Sequence, residues 1–99
     1  MLAVSEVFMR AEQKMMEMGL ELGPVGTPVA NFIPTVRTGN LLFVAGHIAG
    51  LPDGSVLNPG KVGREVTEEQ AYESAKLAML NCLASIKQDL GDLDRVKRG

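Results

Sequence analysis

The sequence predicts a small α+β domain, and three observations predict it. Two stretches repeat apolar residues at helical spacing and end at Gly19 and Gly91, residues suited to the left-handed conformation that stops a helix. Between them, NFIPTVR and LLFVAGHIA read as strands. Only Thr38-Gly39-Asn40 separates these runs, a spacing that favours a tight hairpin. A chain of 99 residues holds one such domain at most, with a thin stability margin.

The first helix is read from SEVFMRAEQKMMEMG. Ser5 is the expected N-cap, its hydroxyl accepting from a free amide of the first turn. Phe8, Ala11, Met15 and Met18 form the apolar stripe, and Leu20 packs back behind Gly19. Four of the six methionines lie between positions 9 and 18. Core or interface packing accounts for them more simply than an adaptable binding surface does. Residues 1–22 are therefore taken as an N-terminal helical unit and 23–99 as the remainder. GPVGTPV (23–29) is a linker, because its Gly and Pro residues break both helix and sheet.

Pro34 cannot donate to a ladder, so the first strand is an edge strand or carries a bulge there. The second strand is apolar on both faces at its start, which calls for cover on both sides. A helix supplies one cover and another subunit the other. Strand alternation puts Phe43, Ala45 and His47 on one face and Val44, Gly46 and Ile48 on the other. A Gly inside a strand marks a bulge, or a place where a ligand or second backbone comes close.

Residues 50–66 are loop-rich, with turns at Pro52-Asp53-Gly54 and Asn58-Pro59-Gly60 and room for a short pairing at Val56-Leu57. Gly54 to Gly60-Lys61 is not a phosphate loop. Five residues separate the glycines instead of four, and Val62 stands where Ser or Thr is needed. Thr67-Glu68-Glu69-Gln70 is a capping box that opens the second helix. Ala71, Ala75, Ala78, Met79, Cys82, Leu83, Ile86 and Leu90 give it one broad apolar face. Glu68, Glu69, Glu73, Lys76, Lys87 and Asp89 read as its solvated face. After Gly91, Asp92 to Asp94 form a short turn and Val96 begins a new strand.

Composition narrows the function. The chain is 45% apolar and 22% charged, with a net charge of −2 and no Trp. It lacks the basic, aromatic surface of a nucleic-acid binder. The single cysteine, Cys82, forms no internal disulfide and lies on the apolar helix face, which suits a structural thiol in a reducing compartment. Neither a signal peptide nor a membrane span is evident, so a cytoplasmic location is expected. Metal ligands are scattered singly, and no metal or cofactor is expected. His47 is the one imidazole and the sole general acid–base candidate of that type. A His beside a Gly at a strand end is more often a hydrogen-bonded structural residue.

Three stretches together carry a resemblance: NFIPTVRTGNLLFVAGHIAG, GKVG and TEEQAYESAKLAMLNCLASIKQDLGDLDRVKR. Over Ala11 to Arg98 the chain resembles the Rid family (reactive intermediate deaminases, also called YjgF-like or L-PSP endoribonucleases), in the subfamily with an extra N-terminal helix. The resemblance implies a chorismate-mutase-like fold of the Bacillus type, a mixed sheet packed on helices. It implies homotrimers with clefts between subunits, and hydrolysis of enamines or imines such as 2-aminoacrylate to a keto acid and ammonia. Val44-Ala45-Gly46-His47 matches the Ser-Gly-Gln stretch that lines the family's cleft, with Ala45 in place of Ser and His47 in place of Gln. Phe32 stands where many members have a Tyr. The substrate-binding residues implied are thus Phe32, Ala45, Gly46 and His47, and no catalytic residue is assigned.

The resemblance also implies a further strand, helix and two strands after Val96, including an arginine that clamps the substrate carboxylate and a late carboxylate. These lie outside the 99 residues, so the chain reads as the front part of the domain, truncated at its C-terminal side. Arg37 and Arg64 do not match the clamp position. Three readings stay open: a Rid-like hydrolase, a non-catalytic module of the same fold that binds a small carboxylate or serves assembly, and a truncated product without function.

Overall fold

The long helix organises the chain, and its boundaries are set locally. In the computed structural model of the protein, residues 10–25 and 33–99 are described. Ser5 and Phe8 of the expected first helix and Phe32 of the expected site lie outside them. Helix α1 spans Arg10–Glu17, strand β1 Thr35–Thr38, strand β2 Leu41–Val44 and helix α2 Glu68–Leu90. A 3-10 turn over Leu93–Arg95 follows.

The capping box forms as expected. The Gln70 amide donates to Thr67 Oγ1 at 3.1 Å, and the Thr67 amide donates to Gln70 Oε1 at 2.9 Å. Two amides of the opening turn are thereby satisfied by side chains. At the other end Gly91 takes φ +83, and its amide closes on Lys87 O at 2.7 Å. Helix α1 ends in a Schellman motif: Gly19, at φ +76, donates to Met16 O, and Leu20 donates to Met15 O.

β1 and β2 pair antiparallel, from Thr35 opposite Val44 to Thr38 opposite Leu41. The loop is therefore two residues long. Only Gly39 has positive φ (+56), the pattern of a type II′ turn with glycine at its first central position. Both strands are shorter than the sequence suggests, and Pro34 explains why. Ala45 donates to Pro34 O at 2.8 Å, but proline has no N–H to return the bond. The Ala45 carbonyl is bonded instead by His47 Nδ1. The ladder stops there.

α2 lies across the hairpin face that carries Thr35 and Arg37. Arg37 Nε and Nη2 reach Asp89 Oδ1 at 3.0 and 2.6 Å, Nη2 also reaches the Asp89 carbonyl, and Thr35 Oγ1 donates to Asp89 Oδ2. α1 docks at the far end of α2. Asp94 accepts from the amides of Arg10 and Ala11 at 2.6 and 2.9 Å, and Lys87 Nζ meets Glu12 Oε2 at 2.8 Å. Lys87 and Asp89 are thus anchors between elements, not part of a solvated face. Glu68, Glu69, Glu73 and Lys76 are exposed as expected.

The loops between hairpin and helix are built from close turns. Gly50 bridges Val56, and Leu57 donates to Ala49 O, which is the short pairing expected there. Among the described residues Gly60 is the one glycine with no room for a side chain: an added Cβ would lie 2.7 Å from Glu65 Cβ. Among the described residues only Ala49, Val66, Ala84, Leu93 and Ser85 are buried, and no large side chain is fully so. The hairpin face away from α2 is uncovered: Val36, Leu41 and Phe43 keep 53%, 62% and 59% of their exposure. The expected cover on both faces is thus met by the chain's own helix on one face only. Val96 has extended dihedrals but joins no strand among the described residues.

Candidate functional site

The stretch from Ala45 to Gly50 leaves the ladder, and α2 holds it through side chains. Asn81 Nδ2 donates to Ile48 O and to Gly50 O, both at 3.0 Å. Ser85 Oγ lies 2.8 Å from His47 Nε2. Further along the loop, Ser74 Oγ donates to Leu57 O at 2.9 Å. Asn81, Ser85 and Asp89 are spaced at i, i+4 and i+8, so they stack on one side of the helix. That polar row ties down three successive segments: β1 through Asp89, His47 through Ser85, and the carbonyls of Ile48 and Gly50 through Asn81.

His47 does not share a face with Phe43, as strict alternation would have it. The strand ends at Val44, the phase of alternation is lost over Ala45 and Gly46, and the imidazole turns toward α2. Both ring nitrogens are engaged. Nδ1 sits 2.7 Å from Ala45 O. A carbonyl can only accept, so Nδ1 carries the proton. In the neutral ring Nε2 then accepts from the Ser85 hydroxyl. Ser85 keeps 3% of its exposure, which makes the hydroxyl an internal partner and not a nucleophile open to solvent.

Gly46 sits at the outer side of this turn. It is exposed, and an added Cβ would meet no atom within 4 Å. Its amide has no hydrogen-bond partner among the described residues. Nothing in the described fold itself requires glycine there, so the space over its backbone is open to an outside group. Ala45 is half-buried and supplies the carbonyl that orients His47. Phe32 falls outside the described residues, so the structure brings together Ala45, Gly46 and His47.

Among the described residues no Lys or Arg side chain is bonded to this turn. The Arg37 guanidinium is bound to Asp89, whose carboxyl it holds below the usual carboxylate range, with a further contribution from the Thr35 hydroxyl. Arg64 is exposed and lies 3.4 Å from Glu65 Oε1. A shallow hollow lined by Leu22, Gly23, Ala84, Lys87 and Gln88 contains none of the expected site residues. Among the described residues no group of three or more His, Cys, Asp or Glu could hold a metal ion, and no helix is long and apolar enough to cross a membrane.

Ser85 was not legible as a site residue. Its signal was a polar row, Asn81-Ser85-Asp89, inside a helix that otherwise reads as apolar toward the sheet.

Residues 12–99 match the family model described as "YjgF/chorismate_mutase-like, putative endoribonuclease". Protein TCP17 of Trypanosoma cruzi is 28% identical over 89 residues, which are 90% of this chain and 55% of that protein. The fold is similar to a crystal structure described as a "putative endoribonuclease" of Shewanella oneidensis MR-1, with TM-score 0.80 and 33% identity over 88% of this chain and 57% of the other. It is also similar to the protein Atu1372 of Agrobacterium tumefaciens, described as of unknown function, with TM-score 0.73 and 35% identity over 88% of this chain and 52% of the other. The chain spans little more than half the length of each of these proteins.

Proposed function

The chain belongs to the YjgF/chorismate mutase-like family, and from that premise we propose that it supplies the main-chain side of a site for a small enamine, imine or keto acid, in a protein that hydrolyses reactive enamines such as 2-aminoacrylate. The observation that carries this reading is the amide of exposed Gly46, without a partner among the described residues, just past the end of a strand. An oriented N–H in open space is a donor for a carboxylate or carbonyl oxygen. The reaction needs little from the protein beyond orientation. The enamine tautomerises to an imine, water adds to the imine carbon, and ammonia leaves as the carbonyl forms. Water and 2-aminoacrylate thus give pyruvate and ammonia.

Homotrimer formation belongs to the same proposal. The uncovered sheet face with Val36, Leu41 and Phe43 supports it, since burying three exposed apolar side chains against a neighbour is favourable by about 25 cal/mol for each Å² removed from water. A soluble, cytoplasmic setting accompanies this reading, with neither a nucleic-acid nor a membrane partner.

The second reading, a non-catalytic module that binds a small carboxylate, rests on a separate observation. Both nitrogens of the one imidazole are occupied, and Arg37 is committed to Asp89. Neither is free to act as base or clamp. The same occupancy argues against ribonuclease chemistry, which needs a paired acid and base.

Ammonia and pyruvate release from freshly generated 2-aminoacrylate tests the hydrolase, and a rate no faster than buffer overturns it. Pyruvate titration followed at the Gly46 amide tests the site itself. Binding without turnover selects the module, and an unmoved Gly46 resonance removes both.

A further inference from the structure

We infer that His47 is a positioning residue: it clamps the Gly46 turn to the buried Ser85 hydroxyl of α2. The inference rests on the site proposed above and assigns what holds that site in shape. Beyond Ala45, whose amide still reaches Pro34 O, residues 46–49 have left the ladder, so the sheet holds the Gly46 amide from one side only. Two side-chain attachments remain on α2. Asn81 holds the carbonyls of Ile48 and Gly50, downstream of Gly46. His47 is the attachment immediately next to it, and it works at both ends of one ring. Nδ1–H is bonded to Ala45 O on the other side of Gly46, which closes a small loop around the glycine, while Nε2 is bonded to Ser85.

The imidazole therefore spans Gly46 from Ala45 to α2. A rigid planar ring bonded at both nitrogens cannot swing without losing a bond, and Ser85, being buried, has no room to follow it. The clamp fixes the orientation of the Gly46 amide. An ionisable side chain with this geometry acts through its hydrogen bonds and not by moving a proton to substrate.

The test compares Ser85→Ala and Ser85→Thr with the unchanged protein, using pyruvate as the probe. Ser85→Ala suits a helix interior, so loss of fold is not expected; far-ultraviolet circular dichroism checks this. Removing one hydrogen bond of ordinary strength weakens pyruvate binding by roughly fivefold. In Ser85→Ala the 15N resonance of His47 Nε2 moves toward that of an unbonded acceptor nitrogen, and the Gly46 amide resonance shifts without ligand. Ser85→Thr keeps the affinity within about twofold, because it retains the hydroxyl–acceptor pair. A folded Ser85→Ala whose Nε2 resonance, Gly46 resonance and pyruvate affinity are all unchanged overturns the inference. If the unchanged protein shows no response to pyruvate, the proposed site fails on its own. The Nε2 resonance and the ligand-free Gly46 resonance then still decide whether the clamp exists.

Discussion

Replacing Asp94 by Ala should release α1 while leaving α2 in place. α1 is eight residues long, well short of the length at which a helix stands alone in water. It makes its own C-terminal stop, but the amides that open it are served from elsewhere. Asp94 Oδ2 and Oδ1 accept from the amides of Arg10 and Ala11, so a carboxylate more than eighty positions away performs the work of an N-cap. Losing a cap of this kind costs about 1 kcal/mol, and a negative charge at a helix N-terminus adds about 0.5 kcal/mol. Together roughly 1.5 kcal/mol is lost from the docking of α1, about a tenfold rise in its opening equilibrium. Hydrogen–deuterium exchange followed by mass spectrometry reads this directly. Peptides covering residues 14–20 should exchange about tenfold faster, and those covering 74–88 should not change. Unaltered exchange in α1 would refute the capping argument. An equal loss across both helices would show instead that α1 and α2 open as one unit.

Two further outcomes follow from contacts elsewhere in the chain. The Arg37 contact, aided by Thr35, places the Asp89 carboxyl below its ordinary value of 3.8, so this contact contributes stability above that value and loses it as pH falls through the lower folded-state value; the Arg37 Nε–H resonance should stay protected down to about pH 4 and lose protection only in stronger acid, and loss near neutrality would contradict the assignment. Gly60→Ala should destabilise by at least about 1 kcal/mol, because the new Cβ meets Glu65 Cβ at 2.7 Å and φ is +135; an unchanged urea midpoint would show that the 60–66 turn shifts freely.

Much of the fold could be read in advance because its causes are local. Thr67 and Gln70 are three residues apart, so their reciprocal capping is set by the chain itself. Gly19, Gly39 and Gly91 each sit where a stop or turn needs positive φ, and no distant residue alters that need. The hairpin register follows from a two-residue loop. The candidate turn at Ala45-Gly46-His47 stood out because a glycine and the one histidine interrupt an apolar run.

What sequence spacing misplaced was every feature that depends on a partner far along the chain. His47 was put on the Phe43 face because alternation assumes a continuing strand. Pro34 ends the ladder, and Ser85, 38 residues on, then draws the ring toward α2. Lys87 and Asp89 looked like solvent-facing charges until Glu12 and Arg37 were brought to them.

The sequence by itself determined where α2 begins and ends, where α1 stops and where the hairpin turns, since caps and turn residues act within a few positions. Tertiary structure alone decided what those elements hold toward one another. Which polar side chain meets which carbonyl across α2 and the hairpin depends on how the two surfaces dock, and docking is a property of whole faces that no local spacing encodes.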